Sequence, residues 1–110
     1  MARDNDISIV EIDSFVFNGH EYTEIHVSLE HINFDVKGNK RSSFTVEEVV
    51  QLFTNAVNGA FLEEDGTKGN ASYYVYQFEA ANKKKYKVVF YTEKKQLFIR
   101  VITLYRSRFL

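Results

Sequence analysis

At 110 residues, the chain has the length of one ordinary domain, and we expect residues 1–110 to form a single domain. It contains no cysteine, which excludes disulfide bonds and thiolate metal sites, and its net charge of −1 differs from the basic balance of proteins that cover long stretches of nucleic acid. The sequence shows no signal peptide and no apolar run long enough to span a bilayer, so we expect a cytoplasmic protein without membrane contact.

The N-terminal part of the chain predicts a β-hairpin that follows a polar segment. Residues 1–6 are polar, and we expect them to be disordered. Alternating apolar and polar residues predict strands over residues 9–17 and 21–27. Asn18 and Gly19 lie between these strands and are typical of a type I′ turn, because both residues tolerate a positive φ angle.

The middle of the chain predicts one main helix. Residues 29–34 fit either a helical turn or an extended segment, and a polar loop with basic residues follows them. Thr45 and Glu48 have the spacing of a capping box, in which each side chain bonds to the backbone of the other residue. Apolar residues then recur at helical spacing up to Gly59, a residue typical of helix C-termini. We therefore expect a helix over residues 46–58 that covers a sheet.

The C-terminal part predicts an antiparallel meander. Residues 63–70 have the composition of a loop, and residues 72–79, 85–93 and 97–106 are rich in β-branched and aromatic side chains. Short turns separate these three strands. The fold class predicted is therefore α+β: a curved antiparallel sheet of about five strands, with one main helix packed on one face.

The last predicted strand carries several polar residues among apolar ones. Strict alternation places Thr103 and Tyr105 on one face and Arg100 and Arg106 on the other. Unless a bulge intervenes, the two pairs cannot point into one site. We therefore expect one pair to line a site and the rest of the strand to enter the core.

The histidines and aromatic residues suggest further candidates. The spacing of His20, His26 and His31 is poor for metal ligands, so we expect no metal and no cofactor. His26 fits an ordinary half-buried or surface histidine. His31 precedes the basic loop and is a candidate general acid or base near neutral pH. The ten Phe and seven Tyr predict an aromatic core, with a base-stacking platform as the alternative.

Two segments of the chain resemble a known family. Residues 88–93 and 99–106, which read VVFYTE and IRVITLYR, resemble the terminal hairpin of BrnT-like toxins in the RelE/ParE superfamily of small ribonuclease toxins. Residues 40–53 resemble the start of the helix in the same family. Thr103 and Tyr105 also resemble the terminal Thr/Ser-x-Tyr of EndoU and contact-dependent toxin nucleases. The predicted N-terminal hairpin departs from the family pattern, which usually begins with a helical segment.

This resemblance implies a metal-independent endoribonuclease toxin that cleaves RNA through attack of the ribose 2′-hydroxyl. Its partners would be an RNA substrate and a neutralising antitoxin or immunity protein. An arginine would hold the phosphate, and a histidine would move the proton. The implied catalytic residues are His31, Arg100, Thr103, Tyr105 and Arg106, and the implied substrate-binding residues are Lys40, Arg41, Lys85 and Lys87.

Two other classes of function fit the same sequence. One is a non-catalytic protein-interaction module, of immunity type or derived from a phage, that uses an aromatic sheet face. Its charge distribution suits a protein partner, because basic residues concentrate after Lys83 and leave the preceding part acidic. The other is a small-molecule or peptide-binding α+β domain. The sequence makes no prediction of the oligomeric state.

Overall fold

The computed structural model describes residues 7–107, and the prediction for residues 1–6 lies outside this range. The chain forms β1 (Ile7–Phe17), β2 (His20–Ser28), α1 (Leu29–Asn33), α2 (Val46–Val57), β3 (Gly66–Lys68), β4 (Ala71–Glu79), β5 (Lys85–Glu93) and β6 (Phe98–Arg106). The predicted α+β class, with one main helix packed on a sheet, is confirmed. Residues 29–34, which fitted two structures, contain the short helix α1.

All six strands of the described chain belong to one sheet in the order β1-β2-β6-β5-β4-β3. The last strand therefore lies in the middle, where it pairs antiparallel with β5 and parallel with β2. We expected about five strands, all antiparallel. The parallel pair and the short edge strand β3 differ from that expectation, because the direction of β6 beside β2 depends on how the long connection through α2 crosses the core. Local alternation does not specify that crossing.

The turn of the first hairpin has the predicted geometry and also joins two distant parts of the chain. Asn18 and Gly19 have φ angles of 51° and 77°. The Asn18 side chain donates to the Leu62 carbonyl at 3.0 Å and accepts from the Leu62 N–H at 2.8 Å. Asn18 therefore adopts the positive φ angle that the turn requires, and its side chain fixes the segment after α2 through two hydrogen bonds.

Helix α2 begins and ends through the signals expected from the sequence. The Thr45 hydroxyl accepts from the Glu48 N–H at 3.1 Å, and the Thr45 N–H donates to the Glu48 carboxylate at 2.8 Å. The helix ends at Val57, one residue earlier than predicted, and Gly59 has a φ angle of 81°. Val49, Phe53 and Val57 are buried, so one face of the helix covers the sheet.

Replacing Thr45 by alanine is expected to lower the free energy of unfolding by about 1 kcal/mol, because the hydrogen bond that the Thr45 hydroxyl accepts from the Glu48 N–H is lost. Thr54→Ala, in the interior of the same helix, is the matched control and should change it by less than about 0.5 kcal/mol. Urea denaturation followed by circular dichroism measures both values. Equal effects of the two substitutions would show that the capping box contributes nothing.

The core lies between α2 and one face of the sheet. Its centre is aromatic: the Phe90 ring lies 5.2 Å from Phe17, 4.9 Å from Phe53 and 5.3 Å from Tyr74, between ring centroids. Helix α1 buries Ile32 in the same cluster. Since both described helices pack on this side, the opposite face of the sheet carries no helix, and we call it the open face.

Candidate functional site

A β-bulge in β6 decides which side chains reach the open face. In the register with β5, Thr103 lies opposite Val89 but Val101 lies opposite the next residue, Phe90, so Ile102 is an extra residue. Beyond Ile102 the side chains exchange faces. Leu104 is consequently fully buried in the core rather than beside Arg100. The strict alternation that we predicted beyond Ile102 is therefore wrong.

The bulge places one residue of the arginine pair on the same face as both residues of the Thr103 and Tyr105 pair. Arg100, Thr103 and Tyr105 all share the open face, whereas Arg106 pairs with the buried Tyr86 on the core side of the sheet and is exposed at its end. We had expected either the two arginines or the Thr103 and Tyr105 pair to line a site. The structure instead brings three of these four residues together and separates Arg106 from them.

One row of side chains crosses five strands of the open face, from β1 to β4. Consecutive strand pairings align the members of this row, which we call the open-face row: Ile9, His26, Arg100, Tyr91 and Tyr73. The row exists because β2 and β6 are parallel neighbours, which places His26 directly opposite Arg100. A histidine and an arginine 74 positions apart in sequence thereby become neighbours.

Arg100 is held against an aromatic pair. Its guanidinium carbon lies 5.8 Å from the centroid of the Tyr91 ring, and Tyr91 packs on Tyr73 with centroids 5.2 Å apart. Burial raises the pKa of the Tyr91 phenol, and the positive charge of Arg100 partly opposes that shift. The phenol is therefore protonated at neutral pH, and its ring supports the guanidinium through a cation–π contact.

His26 is the site residue that sequence reasoning missed. It is only 8% exposed, and its ring stacks on Phe98 with centroids 4.3 Å apart and planes 4° apart. Its Nε2 atom lies 3.0 Å from the Glu24 carboxylate. Because a carboxylate can only accept, Nε2 carries the proton and donates it, which leaves Nδ1 of a neutral His26 as an acceptor.

Four buried polar atoms gather along the junction of β2 and β6. Nδ1 of His26, Oγ of Ser28, Nε of Arg100 and Oγ1 of Thr103 have no hydrogen-bond partner within residues 7–107. All four residues lie on the open face of adjacent strands, and we call them the seam cluster. A buried polar group without a partner costs about 1–3 kcal/mol, so the seam cluster favours a ligand that satisfies it.

The predicted histidine lies elsewhere. His31 is exposed on α1, and Arg41 donates from Nη2 to its backbone carbonyl at 2.6 Å. These two residues line a groove of about 910 Å³ that is formed only by residues between 30 and 41. In the same loop, the backbone N–H of Asn39 lowers the pKa of Asp35. Lys40 is exposed in the same loop, and its backbone pairs with that of Phe34 in an isolated antiparallel β-bridge.

The predicted lysines of β5 follow the open face. Lys87 lies opposite Tyr105. Lys85 lies two residues earlier, at the start of the same strand, opposite Glu79. The structure therefore places eight of the nine predicted site residues in two sets. One set, on the open face, is Arg100, Thr103, Tyr105, Lys85 and Lys87. In the other set, His31 and Arg41 line the groove of the 30–41 loop and Lys40 lies in the same loop, whereas Arg106 belongs to neither set.

A second groove, of about 660 Å³, lies between α2 and the turn that joins β4 to β5, and Phe44, Phe78 and Tyr86 contribute to its lining. None of the nine predicted site residues lines it. Within residues 7–107, no three His, Cys, Asp or Glu side chains group as metal ligands would. No helix in that range has the length and apolar character needed to cross a membrane.

No protein-family model, no curated protein and no solved structure matches the chain. Within the described chain, polar and titratable side chains concentrate at the seam cluster, with Glu24 beside His26, Tyr91 beside Arg100 and Tyr105 two residues beyond Thr103.

Proposed function

We propose that the protein is a metal-independent endoribonuclease, of toxin–antitoxin or interbacterial toxin type, with its active site at the seam cluster. The observation that carries this proposal is the register of β6. Its bulge and its parallel pairing with β2 bring Arg100, Thr103 and Tyr105 to the face that holds His26. A guanidinium, a hydroxyl, a phenol and an imidazole are together sufficient for phosphodiester cleavage without a metal.

His26 would act as the base. Nε2–H donates a hydrogen bond to the Glu24 carboxylate, so the unprotonated Nδ1 would take the proton of the ribose 2′-hydroxyl. The 2′-oxygen then forms a bond to phosphorus, and the bond from phosphorus to the 5′-oxygen breaks. The 5′-oxygen leaves with a proton from solvent water, and the products are a 2′,3′-cyclic phosphate and a free 5′-hydroxyl. Tyr105 lies opposite Lys87, four β5 positions from Tyr91, and would contact a neighbouring nucleotide. Nδ1 is shielded in the free protein, so RNA binding must displace a covering side chain.

Arg100 would stabilise the charge that develops on the phosphate. Its guanidinium lies over the Tyr91 ring, and its buried Nε has no partner within the described chain, so this donor would bond to a phosphate oxygen once RNA displaces the covering side chain. Thr103 offers a hydroxyl on the same side. Lys87, opposite Tyr105, would contact a neighbouring phosphate of the RNA. Tyr73, which packs beside Tyr91, offers an aromatic ring for an unpaired base.

Such an enzyme would degrade the RNA of the cell that makes it. The proposal therefore includes a neutralising antitoxin or immunity protein as a partner. The open face is the surface that this partner would cover, because occlusion of the seam cluster excludes RNA directly.

Two histidine substitutions test the proposal. His26→Ala is expected to lower the cleavage rate of single-stranded RNA by at least about 100-fold, the usual contribution of a general base. His31→Ala is the matched control, because His31 is exposed in the separate groove and should keep the full rate. Cleavage of end-labelled RNA in the presence of EDTA measures both, and mass spectrometry identifies the cyclic phosphate. A folded His26→Ala protein with normal activity would exclude this mechanism.

A non-catalytic interaction module is the second candidate. The observation that favours it is a pair of exposed apolar side chains on the open face, Ile9 at 60% exposure and Val75 at 37%. These side chains suit a protein surface better than a phosphate backbone. Absence of cleavage by the wild-type protein, together with harmless high-level expression in bacteria, would favour this function over the ribonuclease.

A further inference from the structure

The outer edge of strand β1 is blocked against pairing with another strand over only half of its length. In the C-terminal half, the Val16 N–H donates to the Asn58 side chain at 2.9 Å, and the Val16 carbonyl accepts from the Gly59 N–H at 2.6 Å. The register with β2 shifts between Glu11 and Phe15, where Ser14 has a φ angle of 55°. The bulge and the segment after α2 therefore block the outer edge of this half.

The N-terminal half, residues 7–11, carries none of these protections. It reads ISIVE, without lysine, arginine or proline, the residues that commonly blunt edge strands. Ile9 is 60% exposed. We call residues 7–11 the open edge.

The backbone of the open edge points outward at alternate residues. The Thr23 and Glu24 N–H groups both donate to the Leu97 carbonyl, and in the regular parallel pairing that starts at Glu24, this residue bonds toward β6 and Ile25 toward β1. Ile25 lies opposite Val10, so Val10 bonds inward to β2 and Ile9 bonds outward. Because β1 is the outermost strand of the sheet and no loop bond reaches residues 7–11, the outward N–H and C=O groups of Ile9, and those of the residues two before and two after it, have no backbone partner among the described residues. Unpaired groups of this kind are a template for another strand.

We propose that the open edge pairs antiparallel with the open edge of a second copy of this chain, around a two-fold axis at Ile9. In this register Ile9 lies opposite Ile9, and Ile7 lies opposite Glu11. The one charged residue of the segment therefore never faces a like charge. The segment is complementary to itself, as a two-fold interface requires.

This pairing would join the two open faces. The open-face row contains Ile9, so the rows of both copies become one row across a twelve-stranded sheet. The two Arg100 residues would lie five strand spacings apart, or about 24 Å along the sheet. A short segment contributes well below the roughly 1,200 Å² of a stable interface, so the dimer should dissociate readily on dilution.

Sedimentation velocity of the full chain, from low micromolar to near-millimolar concentration, tests the proposal. The wild-type protein is expected to shift from monomer to dimer across this range. Ile9→Lys places two like charges opposite each other and should weaken dimerisation by at least about tenfold. Val16→Lys introduces the same side chain in the protected half of the same strand and should leave dimerisation unchanged.

Amide hydrogen exchange of the wild-type protein provides the second measurement, which does not depend on any variant folding. The Ile9 amide should gain protection as concentration rises, whereas the Val16 amide should not. A wild-type protein that stays monomeric at all concentrations would overturn the proposal. A dimer that survives Ile9→Lys, or one without added protection at Ile9, would overturn it equally. None of these outcomes depends on RNA cleavage.

Discussion

Replacing Arg100 by alanine is expected to lower the rate of RNA cleavage by at least about tenfold while the protein remains folded. Loss of one donor that stabilises a developing charge typically costs about 3 kcal/mol in the transition state, so tenfold is a lower bound. Arg100 lies on the open face rather than in the core, and its main described contact is the Tyr91 ring. The substitution therefore removes charge from the proposed active site and little packing.

Arg106→Ala is the matched control for this experiment. Arg106 is an arginine on the same strand, but it is exposed and lies outside the open face, so its removal should leave cleavage unchanged. Expression of the wild-type chain in bacteria should arrest growth, and Arg100→Ala should relieve the arrest. Full cleavage by a folded Arg100→Ala protein would remove this residue from the mechanism.

Replacing Phe90 by alanine is expected to lower the free energy of unfolding by about 4 kcal/mol. Phe90 is fully buried and contacts the rings of Phe17, Phe53 and Tyr74, which belong to β1, α2 and β4. Its removal leaves a cavity where a helix and both halves of the sheet meet. A loss of this size is a large fraction of the 5–15 kcal/mol, approximately, that stabilises a typical domain.

Val89→Ala is the matched control for core packing. Val89 precedes Phe90 in β5 but lies on the open face and is only partly buried, so the expected loss is about 1 kcal/mol. Urea denaturation, followed by tyrosine fluorescence and by circular dichroism, measures both variants. If Phe90→Ala destabilised the protein no more than Val89→Ala, Phe90 would not be the centre of the core.

The features that the sequence predicted correctly depend on neighbouring residues. Thr45 and Glu48 mark the start of α2, and Gly59 marks its end, because capping and left-handed residues act over three or four positions. Asn18 and Gly19 set the first hairpin for the same reason. Alternation also located the strands of the C-terminal meander. Together with the main helix, these strands predicted the α+β fold.

The features that the sequence did not predict depend on distant residues or on a single insertion. No local pattern specifies that β2 runs parallel to β6, so nothing in the sequence placed His26 beside Arg100. The bulge at Ile102 adds one residue and exchanges the faces of all those after it, so alternation misplaced Leu104. His26 and Ser28, the polar residues that alternate with the core residues Ile25 and Val27, were the available signal for the seam cluster.

The central position of β6 has a consequence for protein synthesis. During translation, the β1–β2 hairpin and the strands β3, β4 and β5 are complete before the strand that joins them exists. Until residue 106 leaves the ribosome, each half of the sheet exposes an unpaired inner edge and aromatic core residues, a state prone to aggregation. The contacts that join the halves span most of the chain, so folding should be slow for its size. Arg100 and Thr103 arrive with that same strand, and the nascent chain therefore has no assembled site until the fold itself is closed.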